Sequence, residues 1–471
     1  MTEGFGEKPR RVLKFGGTSL GSAERIAKVA EIIRRQSENA ELVIVVSAMG
    51  GVTEDLLRAA TAASQRDTST WVELGEGLKE RHLGVCRELL VGAEQERSEA
   101  TVGAVMATFH EFCSGFSLVR EMTPKSLDSL SSLGELLSAE LLTATLRARG
   151  VPAESVDATR LIVSDDNFGS AAPLLEESRG RISAELLPLL TAGQLPVVTG
   201  FRAASPEGSC TPLGRGGSDY TATIVGTLLP ADEIWIWTDV DGIMTADPRL
   251  VPAAHVIPVV SYREAIELSF FGAKVLHPKS IELPMRSAIP VWIKNTFLPD
   301  AEGTKISVAG EGRPGVRAVA HTTEAQLFTL GGAEGVPFTR LAASVFATLE
   351  LDQVPTLIVT QSSAENVICF AVNGKDGPRV RRRLERERSQ SIGGHLLATV
   401  EVKPEVGIVV AVGEAMRGTL GIAGRLFGAL GRNNINVMAI SQGSTELSIS
   451  SAVLASDVVA AVNAIHEEFA L

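Results

Sequence analysis

The chain has 471 residues, enough for about two to four domains, and 45% of them are hydrophobic, ample material for packed cores. Lys plus Arg number 44 against 56 Asp plus Glu, and the net charge of −12 argues against nucleic acid or an anionic membrane as the main partner. The four cysteines are scattered and form no CxxC, the N-terminus carries no apolar leader, and no apolar run approaches the ~18 residues of a bilayer span; the expectation is a cytoplasmic protein without disulfides, zinc or membrane anchor.

Val12–Phe15 reads as a short strand closed by Gly16-Gly17, and Ser22–Arg35 as a helix with Ile26, Val29, Ile32 and Ile33 on one side. Leu42–Val46 is apolar at every residue, the pattern of a strand buried on both faces. Residues from about 54 to 150 read as mostly helical. Strands are expected again at Leu161–Val163, Pro196–Thr199, Glu233–Thr238 and Val291–Ile293. Strand, helix, strand in this order predicts one α/β domain with a largely parallel sheet over residues 1–300.

A linker over 301–320 precedes an internal repeat. Phe346 and Phe427, Leu349 and Leu430, Val354 and Ile435, Gln361 and Gln442, Ser363 and Ser444, Glu365 and Glu446, and Ile368 and Ile449 all stand 81 residues apart, and Leu327 pairs with Ile408 at the same offset. So many matches at one ungapped offset predict two copies of one unit, over 321–396 and 397–471. Each copy has the strand and helix order of a ferredoxin-like α+β module. Two copies are too few for a solenoid and suit paired regulatory modules.

Four segments offer chemistry. In Lys14-Phe15-Gly16-Gly17-Thr18-Ser19, a strand-end lysine beside two glycines suits a phosphate, although a plain tight turn explains it equally well. Leu213-Gly214-Arg215-Gly216-Gly217-Ser218-Asp219 leads into a helix expected at Tyr220–Leu229; Ser218 or Asp219 could cap it, but a cap needs neither three glycines nor an arginine. Thr238-Asp239 through Met244-Thr245-Ala246-Asp247-Pro248-Arg249 follows a strand end, where open α/β sheets bind ligands, or is simply an acidic turn. Gly272-Ala273-Lys274 reads by itself as a helix end with a solvated cation. Gly310–Gly315 satisfies GxGxxG but precedes strand-like residues, Arg379–Arg388 reads as a solvated basic helix face, and the seven histidines contain no HExxH.

KFGGTS at 14–19, SAMGGVT at 47–53, SLGELLS at 132–138, LGRGGSD at 213–219, WTDVDGIMTADPR at 237–249 and FGAKVLHP at 271–278 together resemble aspartate kinase, in that family's order and spacing, and two ACT-like modules follow as in that family. The resemblance implies an amino-acid kinase fold, a mostly parallel sheet between helices, followed by two ferredoxin-like ACT domains. It implies ATP and Mg2+ as cofactors and L-aspartate as the phosphoryl acceptor. By the same resemblance Lys14 and Asp219 are catalytic, and Thr53, Glu135, Arg215, Gly216, Gly217 and Ser218 hold aspartate, with Glu135 on the ammonium and Arg215 on a carboxylate. Lys14, Phe15, Gly16, Gly17, Thr18, Ser19, Ser47, Thr238, Asp239, Met244, Asp247, Arg249 and Lys274 surround the nucleotide, and no residue is assigned to the protein as a metal ligand.

Gln361, Glu365, Gln442 and Glu446 are the expected effector residues, for threonine ahead of lysine, because TQSSAE and ISQGSTE resemble the threonine-regulated aspartate kinase–homoserine dehydrogenases. The dehydrogenase activity itself is not expected of this chain. A homodimer or higher homo-oligomer through the ACT domains is. Met244 departs from the family, many members of which carry a tyrosine there. The competing readings are another amino-acid kinase and a catalytically inactive amino-acid sensor on the same fold; the presence of Lys14, Arg215, Asp219 and Lys274 weighs against the sensor.

Overall fold

The computed structural model describes residues 8–272, 276–310, 312, 315–362, 364–390 and 396–471. They form two compact units: residues up to 243 with 275–308, and residues 244–274 with 309–471.

In the first unit, strands β1 (Arg10–Phe15), β2 (Glu41–Val46), β3 (Ala153–Val156), β4 (Leu195–Thr199) and, beyond a short β5–β6 hairpin (Arg202–Ala204 and Cys210–Pro212), β7 (Glu233–Thr238) build the sheet. They are hydrogen-bonded in the order β3-β4-β2-β1-β7, all parallel, and Val291–Asn295 continues beside β7 in the same sense. Thr304–Ser307 then adds an antiparallel strand. Val12, Leu13, Val43, Ile44, Val45 and Val46 are wholly buried, which is why these runs are apolar without alternation. Because the central strands are parallel, their carboxyl ends open on one edge of the sheet. The chain runs from β1 to β2 on one side and reaches β7 on the other, and this reversal of strand order is where open α/β sheets make a ligand crevice.

The expected helical stretch is five helices between Val52 and Ala148. One of them, Gly92–Val119, is long and apolar enough to cross a membrane by length and composition. Its Val102, Met106, Phe109, Cys113 and Phe116 are buried in the core of this unit. The strand expected at Leu161–Val163 is not one. The edge strand is Ala153–Val156, and Leu161–Val163 is a buried loop outside that sheet: Val163 N–H donates to the Ser178 hydroxyl (3.0 Å), and the segment makes a single parallel bridge, Val163 to Ala204 of β5, with the Ile162 carbonyl accepting from Ala204 (3.0 Å).

In the second unit, six strands form one sheet around two long central ones, Ala318–Gly332 and Leu397–Val412, which run antiparallel. Residues 325–331 pair with Val367–Asn373 on one side and with the start of Leu397–Val412 on the other. Residues 318–322 pair with 408–412, whose other neighbour is Ser448–Leu454. Each module therefore has a ferredoxin-like strand order, but its fourth strand is lent from outside its own repeat. Leu397 belongs to the core of the first module, with Phe328, Leu349 and Phe370. Val319 belongs to the core of the second, with Val409, Leu430 and Ile449. The strands thus cut across the boundaries at 320/321 and 396/397 that the repeat suggests.

The repeat pairs do occupy matching core positions: Leu349 and Leu430, Val354 and Ile435, and Ile368 and Ile449 are all buried. The sheet curls until its edge strands, Thr356–Ser362 and Ala439–Gln442, meet, with the Ser441 hydroxyl reaching the Val359 carbonyl (3.3 Å). The segment that begins at Met244 packs on the second module: Ala246 and Val251 enter its core, Thr245 bonds His466 (3.0 Å), and the Val319 amide donates to the Thr245 carbonyl (2.8 Å).

Candidate active site

Lys14 is the last polar residue of β1 and is buried at the carboxyl end of the sheet. Its Nζ stands 2.5 Å from Oδ1 of Asp219, in the first turn of the helix Gly217–Leu228. That helix begins three residues earlier than the sequence suggests. Neither Ser218 nor Asp219 caps it; Gly216 does, in the left-handed region at φ 71°. A side chain there would be strained and would meet His277 at 2.7 Å. Free of capping duty, Asp219 turns to the lysine.

The loops after β1, β2 and β4 are stitched together. The Gly16 amide donates to the Trp237 carbonyl (3.1 Å), Ser47 to Phe15 (3.1 Å), Gly50 to Gly17 (2.9 Å) and Gly200 to Val46 (2.7 Å). A Cβ on Gly17 would lie 2.6 Å from the Ala48 carbonyl oxygen, and one on Gly200 2.6 Å from Ser218, so both glycines are needed for the close approach of these loops. Arg81 donates to the carbonyls of Gly50 (2.9 Å) and Gly21 (3.1 Å) and ties the rim from outside.

Glu135 lies in the first turn of the helix Leu133–Ala148, which sits on the Ala48 loop because Gly134 has no side chain to clash with Ala48 and Val52. Its Oε1 accepts from the Ala48 amide (3.2 Å), while Oε2 is buried without a partner. Burial pushes this carboxyl up to about 8, against the Ala48 hydrogen bond and the charges of Arg202 and Lys14. A buried carboxyl oxygen with an unused lone pair can accept from a donor-rich cation such as an ammonium. Lysine, its aspartate partner, glycine amides and this carboxyl together suit an anionic group and an amino acid.

The family model described as the amino acid kinase family matches residues 9–295, and that of the ACT domain matches 409–469. A bifunctional aspartokinase/homoserine dehydrogenase 1 of Zea mays is 34% identical over 475 residues, covering 98% of this chain and 50% of the relative. Aspartokinase 2 of Arabidopsis thaliana is 31% identical, covering 99% of this chain and 86% of the relative. The chain belongs to the aspartokinases. The crystal structure of E. coli aspartokinase III with aspartate and ADP (R-state) superposes with a TM-score of 0.83 at 28% identity, covering 98% of this chain and all of that one. The same protein with lysine and aspartate (T-state) gives 0.80 at 28% identity, covering 97% of this chain and 98% of that one. The chain spans about half the length of the bifunctional aspartokinases it matches.

Of the residues expected to serve an aspartokinase, Gly16, Gly17 and Ser47 lie on the stitched loops, Lys14 stands at the end of β1, Gly216, Gly217, Ser218 and Asp219 form the start of the helix that follows β6, and Glu135 is held against the Ala48 loop. Thr18 and Arg215 are exposed, and Thr53 is half-buried at the start of its helix. Two side chains expected around the nucleotide point inward instead. Phe15 is fully buried and stacks on Trp237 (5.9 Å between ring centroids). Ser19 is also fully buried, its hydroxyl spent on Thr296 (2.7 Å). Thr238 bonds Asp239 (3.2 Å) at the end of β7.

Met244, Asp247 and Arg249 belong to the second unit, where Met244 bridges to Val256 and Asp247 pairs with Arg249 (2.6 Å). Lys274 lies outside the described residues, as does Ser363 of the repeat. Among the effector residues, Gln361 and Gln442 are exposed on the two edge strands that meet, and Glu365 is exposed. Glu446 accepts from the Gly418 amide (2.7 Å). Nothing in the sequence hints at Arg81, nor at the buried Arg202–Asp157 pair (3.0 Å); Arg202 shows only as an arginine set among small and apolar residues.

Proposed function

We propose that this chain is an ATP-dependent aspartate kinase that phosphorylates the β-carboxylate of L-aspartate to 4-phospho-L-aspartate, the first step of lysine, threonine and methionine biosynthesis. The observation that carries the reading is the buried Lys14–Asp219 pair at the sheet's carboxyl edge, among glycine-built loops and with the unpartnered Glu135 carboxyl on the same loop system. A carboxylate nucleophile is already ionised at pH 7, so the site needs no general base. Its task is to bring two anions together and to stabilise charge on the transferred phosphoryl group. Lys14, oriented by Asp219, supplies charge to that group; the backbone amides around Gly16 and Gly17 flank the phosphates; Glu135 receives the substrate ammonium and Arg215 a carboxylate.

In this reading Mg2+ comes in on the nucleotide's phosphates and would neutralise their charge. The test is hydroxylamine trapping of the acyl phosphate with Mg-ATP and a panel of amino acids. Hydroxamate formed with aspartate alone is the expected result, and none with aspartate refutes the reading.

Feedback inhibition through the ACT modules is part of the same reading, with threonine ahead of lysine as effector and a homodimer or higher oligomer as the working form. Its support is the placement of Gln361 and Gln442 on adjoining exposed edge strands; a lysine-bound structure is known for the related E. coli aspartokinase III. Gln361→Ala and Gln442→Ala should relieve inhibition at unchanged kcat without effector. Insensitivity of the parent enzyme to both amino acids would refute the regulatory half.

A further inference from the structure

Two helices meet at Ser132, Pro124–Ser131 ending there and Leu133–Ala148 beginning there, and Ser132 makes no side-chain cap for the second. Its hydroxyl and carbonyl are instead both taken by one guanidinium: Arg202 Nη1 donates to Ser132 Oγ (2.6 Å) and to Ser132 O (3.0 Å). The other edge of the same guanidinium forks onto Asp157, Nε to Oδ1 (3.0 Å) and Nη2 to Oδ2 (3.1 Å). Asp157 is itself fixed, accepting from the Thr159 amide (3.0 Å) and from the hydroxyl of Thr199 (3.4 Å) at the end of β4. Arg202 is 7% exposed, so the guanidinium is shielded from water, while Asp157 is half-buried. The bracket runs from the end of β4 to the residue just before the helix that carries Glu135, three positions further on.

We propose that Arg202 is a positioning residue for the amino-acid substrate: by bracing Ser132 against the end of β4 it fixes where the Glu135 carboxyl stands to receive the substrate ammonium. The inference rests on the aspartate kinase reading for the identity of that substrate. A surface ion pair would not need this geometry. Both edges of the fork are used, and a planar fork of five donors is what bidentate bracing requires and what lysine lacks. Charge acts in the same direction. The charged groups that bear on Glu135 are Arg202 and Lys14, and both favour its ionised form against the burial that opposes it. Arg202 thus serves the substrate site by geometry and by field without touching the substrate.

The experiment compares Arg202→Met, Arg202→Lys and Ser132→Ala with the parent enzyme. Arg202→Met should raise KM for aspartate on the order of ten- to a hundred-fold, as a misplacement of about 1 Å would, and leave KM for ATP within about two-fold. It should also move the fall of aspartate KM with rising pH to higher pH, because a cation favouring the carboxylate is gone. Arg202→Lys, which keeps charge and loses the fork, should restore the pH profile but only part of the KM. Ser132→Ala, which keeps the Arg202–Asp157 pair, should raise aspartate KM alone, and it remains informative if Arg202→Met does not fold.

An unchanged aspartate KM and pH profile in a folded Arg202→Met would overturn the inference while leaving the kinase reading intact. So would equal losses for aspartate and ATP. If the parent enzyme does not use aspartate, the kinase reading fails by itself. Carbon-13 NMR of the Glu135 carboxyl, assigned by Glu135→Gln, then still decides the matter: an upward shift of its titration in Arg202→Met supports the bracing role, and none refutes it.

Discussion

Replacing Glu135 with glutamine should make the protein more stable at neutral pH while disabling the substrate site. In the folded chain this carboxyl titrates at about 8 instead of 4.5, because burial penalises its charged form. The folded state therefore holds a proton that the unfolded state releases between these two values. Stability is full below about pH 4.5 and falls as pH rises toward 8. Linkage gives a penalty of about 1 kcal/mol at pH 5, about 3 kcal/mol at pH 7 and about 4 kcal/mol at pH 8, since each pH unit between the two titrations costs ~1.4 kcal/mol. Glutamine can still accept from the Ala48 amide, but its NH2 finds no acceptor where Oε2 lies, a pH-independent cost of about 1–3 kcal/mol.

The variant should accordingly match or fall below the parent at pH 5 and exceed it at pH 8. The difference between the two proteins should change by about 3 kcal/mol across that interval. All four tryptophans, Trp71, Trp235, Trp237 and Trp292, belong to the first unit, so urea unfolding followed by tryptophan fluorescence reports on that unit alone. Parallel pH dependences for the two proteins would show that Glu135 is not buried and protonated in the free enzyme.

Lys14→Met should lower kcat on the order of a thousand-fold, with Asp219→Asn also impaired, both measured by hydroxamate formation and both with parent-like circular dichroism. Gly17→Ala forces a Cβ to 2.6 Å from the Ala48 carbonyl and should lower kcat/KM on the order of a hundred-fold, whereas Gly51→Ser, where nothing stands within 4 Å, should keep the phosphate loop intact and affect only local stability. Met244→Tyr should leave aspartate KM unchanged in steady-state assays. A fragment covering 321–396 should fail to fold, seen as absent dispersion in its NMR spectrum, because the strand that completes its sheet begins at Leu397; adding residues to 404 should restore it.

What can be read from the sequence follows from local physics. Leu42–Val46 announces its burial because a strand covered on both faces has no reason to alternate. The offset of 81 residues is legible because Leu349 and Leu430, or Ile368 and Ile449, answer the same packing demand twice. The same offset is silent about which strand completes which sheet, since two alike modules look alike whether they keep or exchange their fourth strands. Ala153–Val156 is hidden because an edge strand bonded only to β4 tolerates Glu154 and Ser155, while Leu161–Val163 looks like a strand because a buried loop also needs apolar side chains. The motifs mark the chemistry-bearing loops, but not that Ser19 is spent on Thr296 or that Arg202 reaches Ser132 across 70 residues. Those pairings arise only when distant segments are folded together.

The chain passes between the two units three times, after 243, after 274 and after 308, and each passage leads to or from the second ACT module. Ala246 and Val251, from the segment after 243, are packed into that module's core, and the strand that follows 308 is the one lent to its sheet. The first module has no covalent junction with the first unit of its own; it is wired in series behind the second. Anyone exchanging the second unit for a foreign one would therefore have to exchange the segment after 243 along with 309–471, because a splice at 308 alone would leave Ala246 and Val251, two residues of the old module's core, in the chimaera.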